Sequence, residues 1–393
     1  MKYSNQSESI RLLEQETRLE RFPRPLKRAI DVAAVYPSPY RIGMSNLGFH
    51  FLFGELSRRG GLRVERAFRD TTPVTLESGS PLSRFEVIFF SISYEEDYIN
   101  LVRMLFESGI ETSRERRGGS PLIVAGGVAV SGNPFPLLDI VDIFCIGEGE
   151  APIGAITAAL VETGRGEAHR LRERLVGSKG IFVSGHGASF AERASADNFS
   201  KSVILTPSTV FPETLLAESG RGCPGRCAFC LARSLYHPFR PLPVDVLDRF
   251  IGRCRSQVGR VGLVSTAVAA HPQFVRLVDS LLEREISVSF SSLRAEDIDE
   301  PKAAAISRAG TRSVSLAPES GSERVRFAIG KRVPDDTYML AGDLLAGVGV
   351  KNFTLYFLVG APAEEERMVE ETKRFLKRFR EAVGGSRIGV HLN

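Results

Sequence analysis

The feature that most constrains the fold is an alternation of short apolar runs with longer amphipathic stretches, which occurs twice along the chain. Near-continuous apolar strands separated by helices are typical of parallel sheets that helices cover on both faces. In the first half, the predicted strands are 32–36, 62–65, 85–91, 121–125 and 141–146, and the predicted helices are 44–59, 95–109 and 150–163. This pattern predicts a doubly wound, Rossmann-like α/β domain over 31–165, with ligands at the carboxyl ends of its strands.

A second alternation fills residues 214–393. Its predicted strands are 215–218, 261–265, 286–291, 312–315, 353–357 and 388–392. Its predicted helices are 226–235, 243–256, 272–284, 298–308, 335–346 and 364–382. Six βα repeats predict a partial, open (β/α)6 barrel, and a second doubly wound sheet is the alternative from periodicity alone.

The remaining segments flank these two domains. Residues 1–30 are predicted to form a charged amphipathic helix that packs as an arm, with Ile10, Leu13, Leu19 and Phe22 as its apolar positions. Residues 166–213 are predicted to be a connector. It begins with a basic helix at 168–175, becomes irregular, and includes extended runs at 203–205 and 207–210.

The last predicted strand, 388–392, reaches the end of the sequence. A strand at the edge of an open sheet exposes unpaired backbone groups and normally needs a cover. We therefore expect an open barrel with an apolar rim on that side. The chain would be truncated, completed by a partner, or covered there by its own arm.

Charge and hydropathy exclude several classes of protein. The 51 Lys and Arg residues against 47 Asp and Glu residues give a net charge of +4, which indicates neither a nucleic-acid partner nor a membrane surface. The amino terminus is polar, and the apolar runs are the length of strands rather than of membrane spans. These features favour a cytoplasmic protein.

The chain has five cysteines, and three of them, Cys223, Cys227 and Cys230, form a C-x3-C-x2-C motif after the predicted strand 215–218. An odd number with three so close together disfavours a disulfide framework and favours a metal or redox site in a reducing compartment. Three thiolates suit an iron–sulfur cluster that keeps one iron open to a non-protein ligand. The alternatives are a zinc site completed by His237 and cysteines that merely pack as small apolar side chains.

With an aromatic residue before its last cysteine, the motif resembles that of the radical S-adenosylmethionine (SAM) superfamily. Later segments over about 215–365 are similar to that family in order, and 317–323 reads A-P-E-S-G-S-E as in one large branch of it. The resemblance implies that the three cysteines hold a [4Fe–4S] cluster and that the SAM contacts are Phe229, Ser265, Thr266, Arg294, Glu319 and Gly360. The segment at 262–267 departs from the family's Gly-Gly-Glu-like triplet, and local packing is the alternative role of Phe229.

The chemistry implied by the resemblance is reductive cleavage of SAM to methionine and a 5′-deoxyadenosyl radical, which the cofactors carry while the protein positions them. It requires an electron donor such as a flavodoxin or ferredoxin. The sequence does not identify the substrate. It also leaves the reaction type open between methylation, rearrangement and ring formation.

In the same superfamily, an α/β domain before the cysteine motif is often a cobalamin-binding domain, and this chain resembles that architecture. The cobalamin contacts implied are Ser45, Asn46, Gly126, Gly127, Gly147 and Glu148, for which ordinary turn and cap roles are the alternative. The D-x-H-x2-G motif, whose histidine ligates cobalt, is absent. A SAM-only enzyme with a vestigial domain and a non-catalytic iron–sulfur or zinc protein are the alternatives. A methylthiotransferase is disfavoured because the amino-terminal half has only Cys145.

Overall fold

The structure is a computed structural model that describes residues 2–187, 193, 199–291, 293–362 and 368–393. Two units divide the chain, Met1–Leu216 and Ala217–Asn393. The first unit therefore includes the predicted connector 166–213 as well as the predicted doubly wound domain.

The first unit is built on a six-stranded sheet. The strands of this unit are β1 (Thr17–Arg18), β2 (Ile30–Tyr36), β3 (Leu62–Phe68), β4 (Val87–Ser91), β5 (Leu122–Gly126), β6 (Ile143–Cys145), β7 (Ile181–Val183) and β8 (Ile204–Leu205). Its helices are α1 (Lys2–Glu14), α2 (Tyr40–Gly43), α3 (Leu47–Ser57), α4 (Asp97–Glu107), α5 (Arg114–Arg117), α6 (Val128–Gly132), α7 (Glu150–Thr163) and α8 (Leu171–Leu175). The order in the sheet is β3-β2-β4-β5-β6-β7, and only β7 runs antiparallel to its neighbour.

Both faces of this sheet are buried, which explains its near-continuous apolar strands. Along β2, Val32 and Ala34 belong to one apolar core, whereas Ala33 and Val35 belong to another. Successive strand residues point to opposite faces, so two cores along one strand mean that structure covers both sides. The predicted doubly wound α/β fold is confirmed.

The ends of the first unit differ from the prediction. The amino-terminal helix ends at Glu14 rather than continuing toward residue 30, and β1 then pairs antiparallel with β8. Leu13 and Phe22 pack against the core of this unit, as expected of an arm. In the segment predicted to be irregular, Ile181–Val183 adds β7 to the sheet, and 207–210 forms no strand.

The second unit contains six main strands and one short β-ladder. Its strands are β9 (Leu215–Glu218), which crosses the boundary between the units, β10 (Gly220–Arg221), β11 (Arg240–Pro241), β12 (Arg260–Val264), β13 (Ser287–Phe290), β14 (Ser313–Glu319), β15 (Asn352–Phe357) and β16 (Arg387–Leu392). Its helices are α9 (Leu231–Tyr236), α10 (Val244–Cys254), α11 (Phe274–Leu282), α12 (Glu300–Arg308), α13 (Glu323–Ala328), α14 (Asp335–Gly347) and α15 (Met368–Val383). Short 3₁₀ turns across the two units are Leu82–Arg84, Phe135–Leu137, Ala168–Arg170, Arg255–Gln257, Val268–Ala270 and Ala295–Asp297.

The main strands form two three-stranded sheets, with orders β13-β12-β9 and β14-β15-β16. Strand, helix and parallel strand follow one another as in an open (β/α)6 barrel, the predicted architecture. The helix predicted at 226–235 begins only at Leu231, so the cysteines precede it. The start of the helix predicted at 364–382 lies partly outside the described residues.

Strand β16 is the edge of its sheet in the described part of the chain. It pairs with β15 on one side, while Val390 is 45% and Leu392 68% exposed. The expected apolar edge is therefore present. The arm does not add to this sheet, because its strand β1 pairs with β8 in the first unit.

Candidate functional sites

The cysteine loop lies between the two strands of a short antiparallel ladder. Gly220 and Arg221 of β10 pair with Pro241 and Arg240 of β11, so residues 222–239 form a loop whose ends are hydrogen-bonded together. Gly222 has φ +79°, and a Cβ there would lie 2.2 Å from the Tyr236 carbonyl oxygen. Only glycine fits this turn, because any side chain would meet backbone as well as strain.

The three thiols are half-buried on this loop. The Gly225 amide donates to Cys223 Sγ at 3.3 Å, and a Cβ on Gly225 would lie 3.3 Å from Cys223 Sγ and 4.0 Å from Cys227 Sγ. Glycine at this position therefore leaves the space beside two of the sulfurs unfilled. In the part of the chain that the structure describes, no three or more His, Cys, Asp or Glu side chains are gathered into metal-binding geometry.

The electrostatics of the loop fit a cationic centre bound by thiolates. Burial raises the pKa of Cys227, and the thiols of Cys230 and Cys223 raise it further, whereas Lys331 acts in the opposite direction. Three thiolates brought together at this loop would repel one another, and a soft cation would offset that repulsion. The donor set and the unfilled space beside Gly225 fit a cluster bound by three cysteines.

Arg294 follows β13 and lies near the same loop. Its Nη2 atom would be 3.9 Å from a Cβ on Gly225, and it forms a hydrogen bond with Glu296. Its Nη1 atom is buried without a hydrogen-bond partner among the described residues. A buried guanidinium nitrogen with no partner is costly, and a ligand carboxylate would satisfy it.

The polar residues at the end of β12 form one hydrogen-bonded group. Ser291 Oγ donates to the Ser265 carbonyl at 2.7 Å, and Ser265 Oγ accepts from the Ala267 amide at 3.2 Å. Thr266 Oγ1 donates to the carbonyl of Gly222. Thr266 is thus tied to the base of the cysteine loop, so its hydroxyl proton is already in use.

Glu319 ends β14 in a left-handed conformation with φ +65°, which is uncommon for a residue with a side chain. Its Oε1 accepts from Lys331 Nζ at 3.0 Å, and its carbonyl accepts from the Leu358 amide at 2.7 Å. Residues held in this backbone region cluster at functional sites, so the conformation of Glu319 is consistent with a role in ligand binding.

The two remaining predicted SAM contacts are less constrained. The ring of Phe229 is 48% exposed, which does not favour the local-packing alternative. Gly360 follows β15 with φ +80°, and a Cβ there would meet nothing within 4 Å, so its need for glycine is conformational.

In the sheet of the first unit, β2 lies between β3 and β4. The chain passes from β2 outward to β3 and then crosses back to β4 on the other side, so the winding direction reverses between β2 and β4. Open α/β sheets bind ligands in the crevice at the carboxyl ends of strands at such a switch point. Asn46 Nδ2 donates to Ser93 Oγ at 3.0 Å, and Ser38 Oγ donates to Asp97 Oδ1 at 2.9 Å, which links the loops after the two strands. The second carboxylate oxygen of Asp97 is buried without a hydrogen-bond partner among the described residues.

Other predicted cobalamin contacts lie at the same edge of the sheet. Gly126 and Gly127 end β5, and a Cβ on Gly127, with φ +122°, would lie 2.1 Å from the Ile92 carbonyl oxygen. The Gly147 amide donates to Ser131 Oγ at 2.9 Å, and Glu148 is buried. Glycine is therefore required at Gly127 by the close approach of the Ile92 backbone.

Ser45 Oγ donates to the Arg41 carbonyl at 2.7 Å and accepts from the Val210 amide at 2.8 Å. Asn46 also caps α3 by accepting from the Phe49 amide at 3.0 Å. Both side chains thus have structural roles at this edge of the sheet. The sequence analysis missed Ser38 and Ser93, which lie just after predicted strands, and Asp97, which begins a helix.

His50 is fully buried and serves the core. Its Nδ1 accepts from the Val203 amide at 3.3 Å, so the Nε2 proton is donated to the Met44 carbonyl at 3.0 Å. Burial lowers the pKa of His50 to about 4. Both ring nitrogens are in use, which agrees with the absence of a cobalt-ligating histidine motif.

Taken with the fold, a loop with three closely spaced cysteines after the first strand of an α/β unit defines a candidate metal-binding α/β protein. A family model described as "Radical SAM proteins, N-terminal" matches residues 48–183, and one described as "Radical SAM superfamily" matches residues 218–376. The chain belongs to the radical SAM superfamily, whose enzymes use SAM and a [4Fe–4S] cluster. Among the described residues, no helix is both long and apolar enough to cross a bilayer.

The chain is also similar to other proteins over most of its length. The uncharacterized protein MJ0966 of Methanocaldococcus jannaschii is 28% identical over 370 residues, which are 93% of this chain and 78% of that protein. The radical SAM methyltransferase TsrM of Kitasatospora setae, solved with cobalamin and a [4Fe–4S] cluster bound, has a TM-score of 0.62 at 13% identity, over 93% of this chain and 75% of its own. The cobalamin-dependent SAM radical enzyme OxsB has a TM-score of 0.62 at 17% identity, over 88% of this chain and 52% of its own. At these identities the two structures show that the fold is shared.

Proposed function

We propose that this protein is a cobalamin-dependent radical SAM enzyme whose [4Fe–4S] cluster is held by Cys223, Cys227 and Cys230. The observation that carries the proposal is the three-cysteine loop, closed at its base by a β-ladder and left open beside the sulfurs at Gly225. Bound together, the cluster and SAM supply reductive cleavage of SAM to a 5′-deoxyadenosyl radical, for which a flavodoxin or ferredoxin would donate the electron.

The chain's own residues would bind and orient SAM. Arg294 Nη1 is buried without a hydrogen-bond partner among the described residues, and it would bind the SAM carboxylate. The exposed ring of Phe229 offers a face to the adenine. Glu319, which Lys331 holds in place, supplies an acceptor for a donor group of SAM. Ser265 Oγ accepts from the Ala267 amide and keeps its own proton to donate to SAM, whereas Gly360, which has no side chain, would contact SAM through its backbone.

The test of the cluster is anaerobic reconstitution with iron and sulfide. The wild-type protein should turn brown, bind about four irons and produce 5′-deoxyadenosine from SAM under reducing conditions. Cys227→Ser should lose both the colour and the product. Cys254→Ser is the matched control, because Cys254 is buried on α10 outside the loop and should leave both unchanged.

Colourless wild-type protein with stoichiometric zinc would overturn the proposal and favour the zinc alternative. Loss of iron in Cys254→Ser to the same extent as in Cys227→Ser would show that the loop is not the ligand site.

The cobalamin part of the proposal rests on the switch point of the first unit. The side chains of Asn46, Ser93 and Asp97 present polar groups there, and the buried oxygen of Asp97 can accept from an amide of the corrin periphery. The fold is shared with TsrM, whose structure holds cobalamin, and with the cobalamin-dependent enzyme OxsB, which supports cobalamin binding by this chain.

Calorimetry and absorption spectra with hydroxocobalamin test this part. The wild-type protein should bind with a spectral change, and Ser93→Leu, which fills the crevice, should weaken binding at least tenfold. Ser78→Leu is the control, because Ser78 lies on an exposed turn of the same unit. No binding to the wild-type protein at high cobalamin concentration would favour the SAM-only enzyme with a vestigial domain.

A further inference from the structure

A short segment after α13 packs directly on the cysteine loop. The Ala228 amide, one residue past Cys227, donates to the Ile329 carbonyl at 2.8 Å. Gly330 has φ +79°, and a Cβ there would lie 2.5 Å from the Arg226 carbonyl oxygen and 3.2 Å from the Ala228 nitrogen. The backbone at 329–330 therefore touches the residues on both sides of Cys227.

This packing places the next residue, Lys331, beside the cluster loop in a fixed position. The Lys331 amide donates to the Arg326 carbonyl at 2.8 Å, and the fully buried Arg326 donates to the carbonyls of Ser320 at 2.6 Å and Val333 at 3.0 Å. The side chain of Lys331 is 14% exposed. Its ammonium is therefore a largely desolvated charge rather than a mobile surface one.

The ammonium has one anionic partner among the described residues, Glu319, at 3.0 Å. Lys331 directly follows Gly330, whose backbone contacts the residues on both sides of Cys227, so this pair of opposite charges adjoins the cysteine loop. Because water is partly excluded, each acts more strongly than it would at the surface.

We propose that Lys331 is a positioning residue that sets the reduction potential of the cluster, with Glu319 moderating it. This inference rests on the proposed cluster at Cys223, Cys227 and Cys230. Net charge and hydrogen bonding around the sulfurs tune the potentials of iron–sulfur clusters. Reduction adds one electron and one negative charge to the centre, so a nearby ammonium stabilises the reduced form and a nearby carboxylate destabilises it.

The test is a redox titration of the reconstituted protein with a low-potential reductant, followed by electron paramagnetic resonance before SAM is added. Lys331→Met should lower the equilibrium constant for reduction at least tenfold, which for a one-electron couple is a shift of about 59 mV to more negative potential. Glu319→Gln should shift the potential in the opposite direction, and Lys331→Arg should keep it near the wild-type value. Lys373→Met is the control, because Lys373 pairs with Glu370 on the exposed surface of α15 and should cause no shift.

Opposite shifts in Lys331→Met and Glu319→Gln separate a charge effect from general damage to the loop, which would move both variants in one direction. Shifts of the same sign, or a Lys331→Met potential equal to that of the wild type, would overturn the inference. If Lys331→Met holds no iron, a shift of Glu319→Gln to more positive potential, with Lys331→Arg near the wild-type value, still decides it. Wild-type protein without iron would instead overturn the proposed function, and the inference with it.

Discussion

Gly330 offers a direct test of whether the segment after α13 shapes the cysteine loop. Gly330 and Gly310 both have left-handed backbone, with φ +79° and +73°. Alanine in that conformation costs about 1–2 kcal/mol at either position. At Gly310 an added Cβ meets nothing within 4 Å, whereas at Gly330 it would lie 2.5 Å from the Arg226 carbonyl oxygen.

The difference between the two positions gives the magnitude. Relief of the contact at Gly330 requires the backbone at Arg226 to move, and overpacking of this kind adds about 1–3 kcal/mol. We therefore expect Gly330→Ala to lower the free energy of unfolding by about 2–5 kcal/mol and Gly310→Ala by about 1–2 kcal/mol. Because the displaced residue adjoins Cys227, Gly330→Ala should also lose iron.

The assay combines urea unfolding with iron content after anaerobic reconstitution. Gly310→Ala should retain the iron content of the wild type despite its lower stability. If Gly330→Ala matches Gly310→Ala in both stability and iron, the segment does not constrain the loop and the reasoning is refuted.

Three further predictions concern the first unit. The pKa of His50 is lowered to about 4, whereas the unfolded chain binds a proton at this residue below pH 6.5. The free energy of unfolding is therefore unaffected above pH 6.5, falls as the pH is lowered, and reaches its full loss below pH 4. Urea unfolding should show about 2 kcal/mol of this loss between pH 7 and pH 5. If the free energy of unfolding of His50→Gln falls with pH as steeply as that of the wild type, His50 is not the residue responsible. Glu16→Ala should cost about 3 kcal/mol in the same assay, because it leaves the fully buried Arg66 without the carboxylate 2.7 Å away, and an effect under 1 kcal/mol would count against that pair. Asn46→Ala should cost about 1 kcal/mol through loss of the α3 cap, and thermal unfolding at the wild-type temperature would show that the cap contributes nothing.

The main strands could be predicted because burial on both faces leaves a simple apolar signature. Residues 32–36 and 353–357 are examples, and each lies inside the strand that the structure shows. The ladder of β10 and β11 could not be predicted, since Gly220–Arg221 and Arg240–Pro241 have no apolar pattern. Strand β7 was missed because three apolar residues among glycines are too few to distinguish a strand from a turn.

The candidate cluster site shows the same division. Cys223, Cys227 and Cys230 are adjacent in sequence, so their spacing alone indicated a shared site. Lys331 reaches that site only through the tertiary packing of Gly330, and nothing in the local sequence marks such a contact. Asp97 was missed for a related reason, because a single acidic residue at the start of a helix is common and its buried free oxygen is visible only in the fold.

The ladder at the base of the cysteine loop also affects the free energy with which the proposed cluster would bind. Joining the ends of a flexible segment as long as 222–239 costs on the order of 2–3 kcal/mol in chain entropy, and the β10–β11 pairing meets that cost within the polypeptide itself. Because the ladder already joins the two ends of the segment, binding of the proposed cluster does not have to supply that entropy cost. The protein is therefore expected to reload iron without refolding this segment.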